Sequence, residues 1–309
     1  MAKNRQIRKE VDEAAVSSLR DHVLARLNDV LSQPLEPALY TVATPIGHLA
    51  DLTLRALHIL ASADVVYCED TRHSRQLLQQ YGLSRRLSPY HDHNEEREQA
   101  HVLDHLAAGR SVALISDAGT PLVSDPGFKL VRAAVEAGHR VISVPGPSAP
   151  IAALACSGLP TDTFLFAGFL PAKQAARRDR LNALAAVPST LIFFEAPSRV
   201  RDALADMAEV LGAERNAVVA RELTKLHEDV RRGRLGELVT ADIPERGEFV
   251  LLVGPPPPVD ISDAEITRRL GLALDHASVR DASREVAEAL GVSRSRVYDL
   301  AIQLRRGGA

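Results

Sequence analysis

Short apolar runs alternate, along the first half of the chain, with longer stretches whose apolar positions recur every three to four residues. Leu39–Ala43, Asp64–Cys68, Ser111–Ile115 and Arg140–Val144 have the length of buried strands, whereas Thr53–Ser62, Arg72–Tyr81, Asn94–Ala108 and Phe128–Ala137 have helical spacing. Strands separated by helices of this length predict parallel pairing through helical crossovers, and therefore an α/β fold. From about Pro150 the pattern changes. Thr163–Phe169, Thr190–Phe194, Ala217–Ala220, Val230–Leu235 and Phe249–Val253 read as strands, and Lys173–Ala186 and Val200–Leu211 as helices. Their short, hairpin-like connections predict a mixed sheet. The run Gly254-Pro255-Pro256-Pro257-Pro258 stops both periods, because prolines continue neither element and form a stiff spacer. The resulting organisation is a charged helical extension over 1–37, an α/β domain over 38–149, a mixed α/β domain over 150–254 and a tail of three short helices over 260–309.

Composition adds bounds. The 309 residues are 46% apolar and 25% charged, ordinary for a soluble globular protein. A net charge of -3 speaks neither for nor against nucleic acid, which only local clustering of charge would reveal. Two cysteines, Cys68 and Cys156, without a CxxC spacing make a disulfide framework or a cysteine-based zinc site unexpected. The basic segment Met1–Glu10 is followed by no apolar signal region, and no run approaches the ~18–20 residues of a membrane span. A cytoplasmic protein without membrane contact is expected.

Five loops carry more Gly, Pro and small polar residues than plain connections need, and each lies near a predicted strand end, where α/β proteins hold ligands. The first, Thr44–Leu52, contains Pro45 and Gly47, and is equally a strand-to-helix turn. The second crowds Glu69, Asp70, Arg72 and His73 together; Asp70 is placed to cap the following helix, or to take a proton beside Arg72. The third holds His91 and His93 beside carboxylates, but no third ligand stands at a recognisable spacing, so no metal is expected. The fourth, Ser116-Asp117-Ala118-Gly119-Thr120-Pro121 continuing to Gly127, leaves room for a ligand against its backbone, with Asp117 as an acceptor. The fifth, Pro145–Ala149, offers Ser148 as an N-cap and free N–H donors at a helix start. No G-x-G-x-x-G follows a strand, and neither G-x-x-x-x-G-K-[ST] nor G-x-S-x-G occurs. The familiar nucleotide-phosphate cradles and the α/β-hydrolase nucleophile are disfavoured.

In this order the loops resemble the ribosomal RNA small subunit methyltransferase I family of the tetrapyrrole-methylase (class III methyltransferase) superfamily. The resemblance rests on TPIGHLADLTLRAL at 44–57, EDTRHSRQLL at 69–78, HDHNE at 91–95, SDAGTPLVSDPG at 116–127 and PGPSA at 145–149. It continues through GFLPAK at 168–173, FFEAPSR at 193–199, ARELTKLHE at 220–228 and GEFVLLV at 247–253. His48 departs from the asparagine common after TPIG in that family. The resemblance implies two α/β domains with S-adenosylmethionine in the cleft between them. Its contacts would come from Pro45 and Gly47, from Asp117, Ala118, Gly119 and Thr120, from Ser148, and from Phe194 and Ala220 of the second domain. It also implies methylation of a ribose 2′-hydroxyl of a decoding-centre cytidine in 16S rRNA of the small ribosomal subunit, and a homodimer.

A ribose hydroxyl attacks only as its proton leaves. Asp70, with Arg72 as phosphate or orientation partner, is the first candidate base; Glu222 and Lys225 form the second group, with a surface ion pair as their plain alternative. Lys173, Arg177, Arg178 and Arg180 on one helix, and Arg231, Arg232 and Arg234 further on, are candidate phosphate contacts. In the tail, a helix over Asp281–Leu290, a turn Gly291-Val292-Ser293 and a basic final helix from Arg294 resemble a helix-turn-helix that reads RNA or ribosomal surface, or form a small helical bundle that only packs on the core. Two other functions compete: a tetrapyrrole C-methyltransferase on the same fold, and a non-enzymatic, ligand-sensing DNA-binding regulator.

Overall fold

The structure, a computed structural model, describes residues 13–257 and 261–307. The basic start Met1–Glu10 and the end of the proline run, residues 258–260, lie outside the described residues. The chain divides into two compact units after Pro256.

The first unit opens on α1 (Glu13–Leu31), then builds β1 (Leu39–Val42), α2 (Leu54–Ser62), β2 (Val65–Cys68), α3 (Thr71–Gln80), β3 (Leu87–Pro89), α4 (Glu95–Ala107), β4 (Val112–Ile115), α5 (Phe128–Glu136), β5 (Val141–Val144) and α6 (Ala149–Ser157). The strand order is β3-β2-β4-β1-β5, and every pair is parallel. All four residues of β4 are buried, as a parallel strand covered on both faces requires. Apolar clusters form on either face, one around Ile59, Val66 and Ile115, the other around Tyr90, Leu114 and Leu130.

A second sheet follows in the same unit, with β6 (Phe164–Phe169), α7 (Gln174–Leu184), β7 (Thr190–Glu195), α8 (Val200–Leu211), β8 (Asn216–Arg221), β9 (Asp229–Arg234), α9 (Leu235–Thr240) and β10 (Phe249–Val253). Its order is β6-β7-β10-β8-β9; β6–β7 is parallel and the other pairs are antiparallel, the mixed sheet that the spacing predicts. One face packs on α7 and α8 through Leu181, Phe193, Leu204 and Leu251. The other face carries Ile192, Val218, Ala220 and Val250 toward α6 and Ile46 of the first loop, joining the two lobes.

Two elements escape the hydrophobic pattern. β3 has three residues, ends in a proline and lies at the sheet edge, where proline is tolerated, so it carries too little signal to read. α9 begins where a strand is expected to continue to Leu235; Glu237 reaches back to accept from the Arg234 N–H (2.9 Å) and turns the chain into a helix.

The second unit holds α10 (Asp263–Leu274), α11 (Val279–Leu290) and α12 (Arg294–Gly307) around Ile266, Leu270, Val286, Val297 and Ala301. Gly291, at φ 63°, takes the left-handed position that ends α11 and makes the turn to α12.

Candidate active site

Four of the five loops singled out in the sequence converge at the carboxyl ends of the first sheet's strands, tied by backbone and side-chain bonds. Thr44 and Gly119 exchange two backbone hydrogen bonds (2.8 and 3.0 Å), joining the first and fourth loops. Gly119, at φ 82°, approaches Ile46 so closely that a Cβ there would lie 3.3 Å from Ile46 Cγ2. The Asp70 N–H donates to Asp117 Oδ1 (3.0 Å), which joins the second loop to the fourth. Thr120 Oγ1 donates to the Pro147 carbonyl (3.0 Å), which joins the fourth to the fifth. Leu122 (φ 72°) and Ser124 (φ 67°) hold left-handed backbone that their side chains disfavour, as segments at functional sites often do.

The second sheet supplies the opposite wall. In the β7–β10–β8 register Val250 pairs with Phe194 on one side and Ala220 on the other, so these three residues stand in one row. Beyond β8 the turn Glu222–Lys225 folds back with Glu222 at φ 51° and Thr224 at φ 64°. Thr224 accepts from the His48 N–H (3.0 Å), latching this turn to the first loop. Gly47 permits the latch, since a Cβ there would come 2.5 Å from Lys225 Cγ.

Between these walls lies a cavity of about 410 Å³, within the ~300–1,000 Å³ of small-molecule sites. Of the residues expected to hold a cofactor, Asp117, Ala118, Gly119, Thr120, Ser148, Phe194 and Ala220 line it. Pro45 and Gly47 do not; Ile46 between them faces the cavity, and Gly47 serves the latch. Ser148 sits at the N-cap of α6 but makes no side-chain capping bond.

The ionisable residues that line the cavity are acidic, with Glu195 paired to Arg199 (2.7 Å) and Glu248 to Lys225 (3.0 Å) just outside it. Asp117, Asp125, Glu195 and Glu248 reach the cavity, and no lysine, arginine or histidine is among the described residues that line it. Burial raises the Asp125 carboxyl to about 6; the Ser116 hydroxyl works against the rise and Asp117 adds to it. Burial also raises Glu69, helped by Asp117 and Asp125. Apolar area comes from Ile46, Leu223, Phe194 and Val250.

The two candidate acid–base groups flank this cavity without lining it. Asp70 caps α3 by accepting from the Arg72 N–H (2.7 Å) and pairs with the Arg72 guanidinium (3.0 Å). Bonding to the Arg72 side chain and backbone holds its carboxyl down at about 2. Lys225 Nζ bridges Glu222 (2.9 Å) and Glu248 (3.0 Å). Burial opposes the lysine's charge, but these two carboxylates outweigh it and raise Lys225 above its ordinary value. Glu222 also accepts from the Glu248 N–H (3.0 Å) and covers Gly247, where a Cβ would meet its carboxyl carbon at 2.6 Å. Asp125 belongs to the fourth loop already singled out, whereas Glu195, Gly247 and Glu248 join the site from motifs that give them no chemical signal of their own.

Of the basic residues read as phosphate contacts, the buried Arg177 requires correction, and four others have partners within the protein. Arg177 is buried and bonds Asp206 (2.6 Å), while Arg178 pairs with Asp206 and Glu209. Arg231 pairs with Asp229, Arg232 donates to the Ser157 and Cys156 carbonyls, and Arg234 pairs with Glu214. Arg177 and Arg178 thereby tie α7 to α8, and Arg232 ties β9 to the end of α6. The rings of His91 and His93 stand 5.9 Å apart. Among the described residues no three His, Cys, Asp or Glu side chains converge on a metal position, and no helix is long and apolar enough to cross a membrane.

Solved structures share this two-lobed architecture. Diphthine synthase aligns over 70% of this chain and 89% of its own, with a TM-score of 0.56 at 18% identity. Uroporphyrin-III-C-methyltransferase from Thermus thermophilus aligns over 70% and 93%, with a TM-score of 0.51 at 24% identity. These likenesses establish the fold. The profile described as Tetrapyrrole (Corrin/Porphyrin) Methylases matches residues 38–239, and the RsmI C-terminal HTH domain matches 260–305. Ribosomal RNA small subunit methyltransferase I of Mesorhizobium japonicum is 51% identical over 90% of this chain and 95% of its own length. The chain belongs to the ribosomal RNA small subunit methyltransferase I family. Members from Pseudomonas aeruginosa (48% identical over 86% of this chain and 96% of theirs) and Escherichia coli O157:H7 (45% over 86% and 94%) extend the match. The family's helix-turn-helix module falls on α10–α12, as the tail's resemblance to a helix-turn-helix expects.

Proposed function

We propose that this chain transfers a methyl group from S-adenosylmethionine to the ribose 2′-hydroxyl of a decoding-centre cytidine in 16S rRNA of the small ribosomal subunit, in the cytoplasm and as a homodimer. The observation that carries the reading is the cavity lined by four carboxylates and no cationic side chain. That lining suits a ligand with a positive centre on an apolar body, which describes this donor. Phe194, Ala220 and Val250 offer the flat apolar row for its adenosine, and the loop Asp117–Thr120 with Ser148 offers polar contacts for its other end.

When bound, S-adenosylmethionine supplies a methyl group on a sulfonium, an already activated leaving group. The protein's own task is alignment and removal of one proton. The latch between His48 and Thr224 fixes the two lobes about the cavity. Asp70 and Glu222 are the carboxylates proposed to receive the proton, each held ionised beside its cation, Arg72 or Lys225. Asp70→Asn should keep donor affinity and lose turnover; unchanged turnover would move the role to Glu222.

Donor affinity should depend on Asp125. Its carboxylate is ionised above about pH 6 and neutral below. A cationic donor gains from the ionised form, so affinity should be full near neutrality and fall as the pH drops through 6. Calorimetric titration from about pH 5 to 8 measures this; affinity that rises on acidification contradicts the assignment.

The function is tested by incubating the protein with methyl-labelled donor and either small ribosomal subunits or a tetrapyrrole. Label in RNA supports the reading. Label in the tetrapyrrole favours a C-methyltransferase, and donor binding without any transfer favours a ligand-sensing regulator.

A further inference from the structure

The aromatic side chain at the rim of the cavity is placed there by a deliberate irregularity. In an uninterrupted strand, residues three apart face opposite sides of the sheet. Along β6, however, Phe166 pairs with Ile192 and Phe169 with Phe194, so three steps on β6 match two on β7. One extra residue is accommodated, with Gly168 at φ 69° in the left-handed region. The bulge returns Phe169 to the side of Phe166: both rings lie against Phe194, at centroid distances of 4.9 Å for Phe166 and 5.5 Å for Phe169. Phe169 lines the cavity yet is 53% exposed. Its ring therefore stands outside Phe194, at the cavity entrance, with much of its surface open to a ligand arriving from solvent.

A nucleotide whose ribose is to be methylated must leave its stacked neighbours, and an extruded base is held by a new stacking surface, commonly an aromatic side chain. We infer that Phe169 is the platform on which the base of the methylated nucleotide stacks. The inference rests on the RNA reading above. It makes Phe169 a positioning residue: it touches neither the proton nor the methyl group, but sets where the ribose lies. The β6 bulge is the structural device that serves this role, and Phe194, one ring deeper, is left to the donor.

The test uses the full chain and its Phe169→Leu and Phe169→Trp variants. Methyl transfer is followed against small-subunit concentration, with donor affinity measured separately and thermal unfolding checking that each variant folds. Phe169→Leu should lose at least about fivefold in kcat/KM for the subunit, the scale of one stacked base. Donor affinity should stay within about twofold, and Phe169→Trp should recover the loss. Unchanged transfer by Phe169→Leu overturns the inference. A parallel fall in donor affinity also overturns it, since the ring would then belong to the donor's own pocket. Failure of the unaltered protein to methylate RNA would remove the functional reading itself, and that result is seen before any variant is compared.

Discussion

Gly47→Val should lower methyl transfer by at least about 100-fold, the scale on which a misplacement near 1 Å acts in an aligned reaction. The glycine lies where the first loop presses on the turn after β8. An added Cβ would sit 2.5 Å from Lys225 Cγ, 2.7 Å from Thr224 Oγ1 and 3.1 Å from the Leu223 carbonyl oxygen. None of these is the free end of a flexible chain. The turn cannot yield easily, because Thr224 N–H donates to Glu228 (2.6 Å), Lys225 N–H donates to the Glu222 carbonyl (3.0 Å), and two of its residues already hold left-handed backbone. The loop must lift instead, breaking the His48–Thr224 bond and drawing Ile46 from Leu223. Both lobes retain their own cores, so the protein should still fold. Single-turnover transfer measures the effect, and near-normal turnover would mean that the latch is not needed.

The second large effect is on stability. Asp206 on α8 is fully buried and accepts from Arg177 Nε (2.6 Å), Arg178 Nε (2.7 Å) and Gln174 Nε2 (3.2 Å) of α7. Asp206→Ala would leave the buried Arg177 guanidinium with the Ala172 carbonyl (3.2 Å) as its remaining hydrogen-bond partner. Stranding one charge of a buried pair costs about 3–5 kcal/mol. For a compact unit of this size that lowers the unfolding midpoint by roughly 6–20 °C. Scanning calorimetry checks it; a shift under about 3 °C would show that the arginine finds water or another acceptor.

The same residues show what a sequence reveals and what it hides. Parallel strands such as Val112–Ile115 are legible because burial on both faces demands an unbroken apolar run. The loops Asp117–Thr120 and Pro145–Ala149 are legible as ligand-facing because glycine and proline mark unusual backbone. Partner identity is not legible. Arg177 and Arg178 look like phosphate contacts until Asp206, 29 and 28 positions away, is folded against them. That Arg72, two positions on, pairs with Asp70 and holds its carboxyl down at about 2 shows only once the loop is folded. Glu248 joins the site through the pairing of β8 with β10, which brings it to Glu222 across 26 positions. The bulge that turns Phe169 toward the cavity leaves one ordinary-looking glycine in the sequence.

The central claim is that the donor's methyl group, bound between the lobes, reaches a ribose oxygen of small-subunit RNA. Small subunits treated with protein and labelled donor, digested to nucleosides and resolved by mass spectrometry, test it directly. The account predicts label in 2′-O-methylcytidine at a single decoding-centre position, lost with Gly47→Val. Label on a base carbon or nitrogen, or RNA left unlabelled while the donor is bound, would contradict it.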